Sequence, residues 1–201
     1  MKKFRAFSMT LMLGVWLMML AGPMAGRSAA QASSTQMKET PEGVVLGNDD
    51  THHNISAVIS GATLLRSYEP YQPKPDQPGQ VRELNRAVVN RFFELPIGEQ
   101  RARLYADDGV KQILNLGVQW RGLAAQLKNN EQNKVLFSGW KWKEVVIWDT
   151  QDPTVFMVEA HGSQTEGGAG PADSHYVMQF VVVSGKIELM REMNAPLVLA
   201  P

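Results

Sequence analysis

The chain has 201 residues, with 20 basic and 20 acidic side chains, 44 % hydrophobic composition and no cysteine. Without cysteine it has no disulfide, no thiolate metal ligand and no cysteine nucleophile, so stability must come from an apolar core. The charge is balanced and no basic run could neutralise several phosphates, which argues against a nucleic-acid partner.

In chain order, Lys2, Lys3 and Arg5 precede an apolar run over 6–21, and Ala30-Gln31-Ala32 follows with small residues. A basic start, an apolar middle and a small-residue exit predict a secretory signal peptide over 1–32, cleaved after Ala32. A retained anchor is the rival reading, but the run is short for a span of about 20 residues. Cleavage removes Lys2, Lys3, Arg5 and Arg27 and no acidic residue. The mature chain from Ser33 then carries 16 basic against 20 acidic residues, a net charge of −4. The expected location is periplasmic or secreted, with no membrane contact once the leader has gone.

Residues 33–79 read as an extended, loosely packed arm. A small helix over 54–65 is expected, followed by Pro70, Pro73, Pro75 and Pro78, whose spacing forbids helix. His52-His53 in this arm read as solvated, and Asn54-Ile55-Ser56 fits a glycosylation acceptor that has meaning only in a eukaryotic host. From Val81, the stripe Val81, Leu84, Val88 and Phe92 predicts an amphipathic helix ended by Pro96. A shorter helix over 98–105 leads to Asp107-Asp108, read as closing a helix–strand junction. Next come a hairpin over 110–114 and 118–120, and a third helix burying Leu123, Ala124 and Leu127. Four β-like runs follow over 145–148, 155–161, 175–183 and 186–194, the last entered through a Ser184-Gly185 turn. Helices followed by strands argue for an α+β domain over 80–201, with three helices against a curved antiparallel sheet.

Several short motifs share one linear order. They are Leu84-Asn85-Arg86-Ala87-Val88-Val89, then Arg101, Tyr105 and Asp107-Asp108-Gly109, then Arg121-Gly122 and Phe137-x-x-Trp140-x-Trp142. Val158-Glu159-x-x-Gly162, Gly185-Lys186-Ile187 and Arg191-Glu192-Met193-Asn194 complete the series. Together they resemble the PhzA/PhzB family, a branch of the SnoaL-like, nuclear-transport-factor-2-like cone fold, over about residues 81–194. The resemblance implies a pocketed cone. Glu192 would be the acid/base of the family's amine–ketone condensation, and Arg101 the residue that grips a substrate carboxylate. The family's second catalytic group is a histidine on the third helix. An ungapped count places Asn129 there, with Asn133 at a neighbouring serine position, so the catalytic pair is broken because asparagine cannot shuttle protons. The family's aromatic Gly-Tyr-Pro loop is replaced by Glu166-Gly167-Gly168-Ala169-Gly170-Pro171. The leader also argues against phenazine assembly, whose reactive substrates are made in the cytoplasm.

Each candidate has a bland alternative. The last motif is one residue shorter than the family's, and strict alternation puts Glu192 on the face of Lys186 and Glu188, which is solvent if that side looks outward. Arg101 is either a carboxylate clamp or an exposed helix charge. Glu159 and His161 alternate onto one strand face, and His175 starts the next strand. Facing inward, the three make a polar cluster in the cone that could also ligate a metal; facing outward, they are solvated strand-end residues. Met157, Met178, Met190 and Met193 are either cavity lining or core, and Trp140 and Trp142 share one face as rim or core. The expected function is binding of a small, partly apolar, carboxylate-bearing molecule, with no cofactor, no metal and a homodimeric assembly. The alternatives are an acid/base enzyme using Glu192, of isomerase, cyclase or condensation type, and a dimeric interaction module.

Overall fold

The computed structural model describes residues 37–46, 57–69 and 79–194. The leader, His52-His53, the Asn54 acceptor and the prolines at 70–78 lie outside them. Four strands form the expected meander: β7 (Lys141–Asp149), β8 (Val155–Gln164), β9 (Ala172–Val183) and β10 (Lys186–Asn194). Each pairs antiparallel with the next. Ser184 and Gly185 both take positive φ, 52° and 76°, the backbone that a two-residue hairpin turn demands.

The sheet continues on the far side of β10. That strand pairs with β5 (Tyr105–Ile113) in parallel, β5 pairs antiparallel with β6 (Val118–Arg121), and β4 (Thr63–Leu64) adds to the edge. The seven-stranded order is β4-β6-β5-β10-β9-β8-β7, a mixed and mostly antiparallel curled sheet. Its single parallel joint arises because the meander brings the last strand back beside β5. Helices α1 (Gly79–Glu94), α2 (Glu99–Ala102) and α3 (Leu123–Leu136) complete the α+β cone expected from the sequence.

Three helical details differ from expectation. Leu84 is 65 % exposed; Asn85, Val89 and Phe92 form the buried side of α1, where Val89 and Phe92 join Phe156, Phe180 and Met190 in the main core. The second helix is short because Tyr105 already pairs with Ile187 in the sheet. Asp107-Asp108 therefore sit exposed inside β5, where its register against β10 shifts, rather than at a helix–strand junction. In α3 the buried side is polar: Gln126, Asn129 and Asn130, with Ala124 exposed. Together with Asn133 these amides recur at i, i+3, i+4 and i+7, one helix face.

Of the expected helix over 54–65, the described residues 57–65 form strands instead. β1 (Met37–Thr40), β2 (Gly43–Leu46) and β3 (Ala57–Ser60) form a second antiparallel sheet, and β4 follows a turn at Gly61, whose φ is 70°. β-Branched Val44, Val45, Val58 and Ile59 suit a pleated surface better than a helix. These strands are not a loose arm. Fully buried Val44 packs with Ala62, Ile113, Val118 and Trp120, a burial that contributes roughly 1.5–3 kcal/mol for that valine. The Gln132 amide of α3 accepts from Ser60 N at 2.9 Å and donates to Val58 O at 2.5 Å, and Trp120 Nε1 donates to Ser60 O at 2.9 Å.

Candidate functional site

A cavity of ≈ 280 Å³ opens inside the cone. This is near the lower end of small-molecule pockets, about 300–1,000 Å³. Phe92, Trp120, Trp140, Trp142 and Tyr176 supply aromatic wall, and Arg101, Lys111, Asn129, Asn133 and Glu192 form its polar part. Val58 and Ile59 of β3 also line it, so the small N-terminal sheet is part of the pocket.

Glu192 faces the cavity because of a register shift between Ile187 and Leu189. The extra residue, Glu188, moves every later side chain of β10 to the opposite face. Met190 and Glu192, 1 % and 6 % exposed, therefore share the inner face with Ile187, and strict alternation from Lys186 fails. The Glu192 carboxylate is ion-paired: its Oε2 lies 3.3 Å from Lys111 Nζ, with both side chains largely buried. Its Oε1 accepts from Asn194 Nδ2 at 3.4 Å. Lys111 stands directly across the β5–β6 ladder from Trp120, with its ammonium 5.3 Å from that ring's centroid.

Arg101 is buried and points inward rather than into solvent. One guanidinium nitrogen donates to Leu95 O, and the group lies 4.9 Å over the Phe92 ring. Its Nε is buried without a hydrogen-bond partner. Burial pushes Arg101 down to about 10, opposed by Tyr105 and Glu192, so it remains a cation at neutral pH. The Tyr105 phenol donates to Met190 Sδ at 2.9 Å. Burial raises it far above the ordinary tyrosine value; Glu192 adds to the rise and Arg101 opposes it. Tyr176 is raised too, by burial first and by Glu192 second, with a hydrogen bond to Ser174 opposing. Asn133 Nδ2 reaches Asn129 Oδ1 at 3.4 Å, which makes an amide pair on α3.

The aromatic wall rests on a glycine. A Cβ at Gly162 would lie 2.5 Å from the Trp140 indole, so only glycine lets that ring lie on β8. Trp140 in turn meets Trp142 and Tyr176 edge to face, with centroids 5.6 and 5.9 Å away. The glycine-rich 166–171 loop closes the end of α3: Gly168 N and Ala169 N donate to Val135 O and Leu136 O at 3.2 and 2.9 Å.

Of the residues singled out from sequence, Arg101, Asn129, Asn133 and Glu192 converge on this cavity. Glu159, His161 and His175 do not. On β8 the inner face is Val158, Ala160 and Gly162, all buried, so the odd-numbered positions point outward and the inward cluster is not formed. Outside, His161 and His175 are direct cross-strand partners with stacked rings. The methionines divide likewise: Met178 and Met190 line the cavity, whereas Met193 is 48 % exposed. Lys111 escaped sequence reasoning. Its only signal was a lone lysine two residues before Ile113, in phase with the inner face of the hairpin.

The sequence pattern described as phenazine biosynthesis protein A/B matches residues 72–199. Phenazine biosynthesis protein PhzA1 of Pseudomonas aeruginosa is 30 % identical over 140 residues, 63 % of this chain and 85 % of the relative. Phenazine biosynthesis protein PhzA of Pseudomonas fluorescens is 28 % identical over 128 residues, 58 % of this chain and 78 % of the relative. Among solved structures, the phenazine biosynthesis-related protein PhzB2 of Pseudomonas aeruginosa superposes with a TM-score of 0.52 at 23 % identity, covering 61 % of this chain and 83 % of its own. That superposition bears on fold, and the match over 72–199 bears on descent. Strands β1–β4 precede the matched segment. The curled sheet with its three helices and the ordered motifs from α1 to β10 have one explanation: the chain belongs to the phenazine biosynthesis protein A/B family, with the SnoaL-like, nuclear-transport-factor-2-like cone fold.

Proposed function

We propose that this protein is an exported binder of a small, partly apolar carboxylate, held in the cone without the family's catalytic pair. The observation that carries this reading is the unpartnered Arg101 Nε. A buried charged donor left without an acceptor is costly, and a ligand carboxylate would supply two acceptors to one guanidinium. Lys111 is paired to Glu192, so Arg101 leaves the pocket net positive. The aromatic wall suits an apolar ring, and the α3 residues that line the cavity, Asn129 and Asn133 among them, offer no proton shuttle. The test is calorimetry with a panel of monocyclic aromatic acids and their primary amides. The acids should bind and the amides should bind at least about tenfold more weakly. Arg101→Met should weaken the acids roughly 10- to 100-fold, from the ~1.5–3 kcal/mol of a charge-assisted bond. Equal affinity for acid and amide would overturn the reading.

The second reading is an acid/base enzyme, favoured by the enclosed Glu192 beside Lys111. The same variants separate the two, because Glu192→Gln in an enzyme lowers turnover far more than binding, whereas in a binder it changes affinity little. Export rests on the leader pattern over 1–32. Mass analysis of the protein recovered from the periplasm should give a chain starting near Ser33, and an intact Met1 in a membrane fraction would refute cleavage.

A further inference from the structure

We propose that His161, His175 and Asp173 form a binding site for a divalent transition metal of the zinc class, on the outer face of the sheet and apart from the pocket. His161 of β8 and His175 of β9 are paired directly across the ladder. Their rings stack with centroids 4.2 Å apart and planes within 7°. Asp173, two residues before His175 on the same face, places Oδ1 2.7 Å from His161 Nε2. One donor atom from each of the three lies within 4.8 Å of the others.

Two imidazoles and one carboxylate are a borderline donor set that suits zinc, copper or nickel rather than calcium or magnesium. A tetrahedral ion about 2.0–2.2 Å from each donor needs donor separations of roughly 3.3–3.6 Å, so the 2.7 Å His161–Asp173 pair must open slightly, separations of up to 4.8 Å must close by up to about 1.5 Å, and the stacked rings must turn until both lone pairs meet the ion, with water completing the shell. The histidines are held on adjacent antiparallel strands, so the backbone fixes their spacing and only side-chain torsions must adjust. Asp173 is oriented from behind, because Lys143 Nζ sits 3.1 Å from Oδ2 and leaves Oδ1 turned toward the imidazoles. The Lys143 charge is offset by carboxylates on the same face: Glu144 pairs across from His161, and Glu159 lies two residues before it.

The test uses the full mature chain carrying His52→Ala and His53→Ala, which removes the only other histidines. Calorimetric titration with zinc chloride should give one ion per chain, and cobalt(II) should show the visible absorption of a four-coordinate site. Adding His175→Ala should weaken zinc by at least about tenfold and abolish the cobalt band. His175 is exposed, so this variant should melt at the parent's temperature without metal. Asp173→Asn serves as a second variant should it not. Absence of zinc uptake, or uptake that His175→Ala and Asp173→Asn leave unchanged, overturns the site.

Discussion

Tyr105 and Tyr176 keep their protons because the cavity wall buries both phenols and Glu192 stands nearby. The folded state therefore holds two protons that the unfolded chain loses above about pH 10. Where the folded state binds more protons, stability falls as pH rises, by about 1.4 kcal/mol per pH unit for each group. Arg101 works in the opposite sense. Its folded value of about 10 lies below the ordinary 12.5, so above pH 10 the folded state releases a proton that the unfolded chain retains. Two phenols against one guanidinium leave a net loss. Urea unfolding between pH 10 and 12 should thus show stability falling with pH. Tyr105→Phe should remove about 1.4 kcal/mol per pH unit of that slope, and an unchanged slope would show that Tyr105 ionises normally in the fold. The same burial makes Arg101 costly to the fold and ready for an anion.

The small N-terminal sheet is the element whose role changes most between sequence and structure. Strand β3 supplies Val58 and Ile59 to the cavity and is fastened to α3 through both ends of the Gln132 amide. Further on, Glu69 is ion-paired to Arg121, and its carbonyl accepts from Arg191. An Arg66–Glu39 pair at 3.0 Å ties β1 to the segment after β4. Removing residues 33–66 would expose the Trp120, Val118 and Ile113 cluster and open one wall of the pocket. Each kcal/mol lost should lower the melting temperature about 2–4 °C in a chain of this size. Burial of Val44 and its neighbours makes a drop of roughly 10 °C or more the expected outcome. Calorimetric melting of the truncated chain checks this, and an unchanged melting temperature would restore the loose-arm reading.

Across the whole molecule, the outer sheet face carries exposed apolar side chains on β7, β9 and β10, namely Trp148 at 48 %, Val146 at 37 %, Val177 at 54 % and Met193 at 48 %, with β8 lying between β7 and β9. Val146 lies across from Glu159, Glu159 from Val177, and Val177 from Met193, so the exposed carboxylate of Glu159 interrupts the apolar row. Much of this architecture could be read from sequence, because strand alternation, helical period and turn residues act over a few neighbouring positions. The sequence alone determined the four-strand meander, the three helices and the motif order that marks the family. It also placed Arg101, Asn129, Asn133 and Glu192 as candidates. Only the tertiary structure decided which way they face. The phase of β10 depends on a bulge against a partner strand, so local alternation misplaced Glu192. The buried Lys111–Glu192 pair joins residues distant in the chain, and the outward turn of Glu159, His161 and His175 depends on which sheet face receives α1. These are long-range choices made by packing, and no local pattern encodes them.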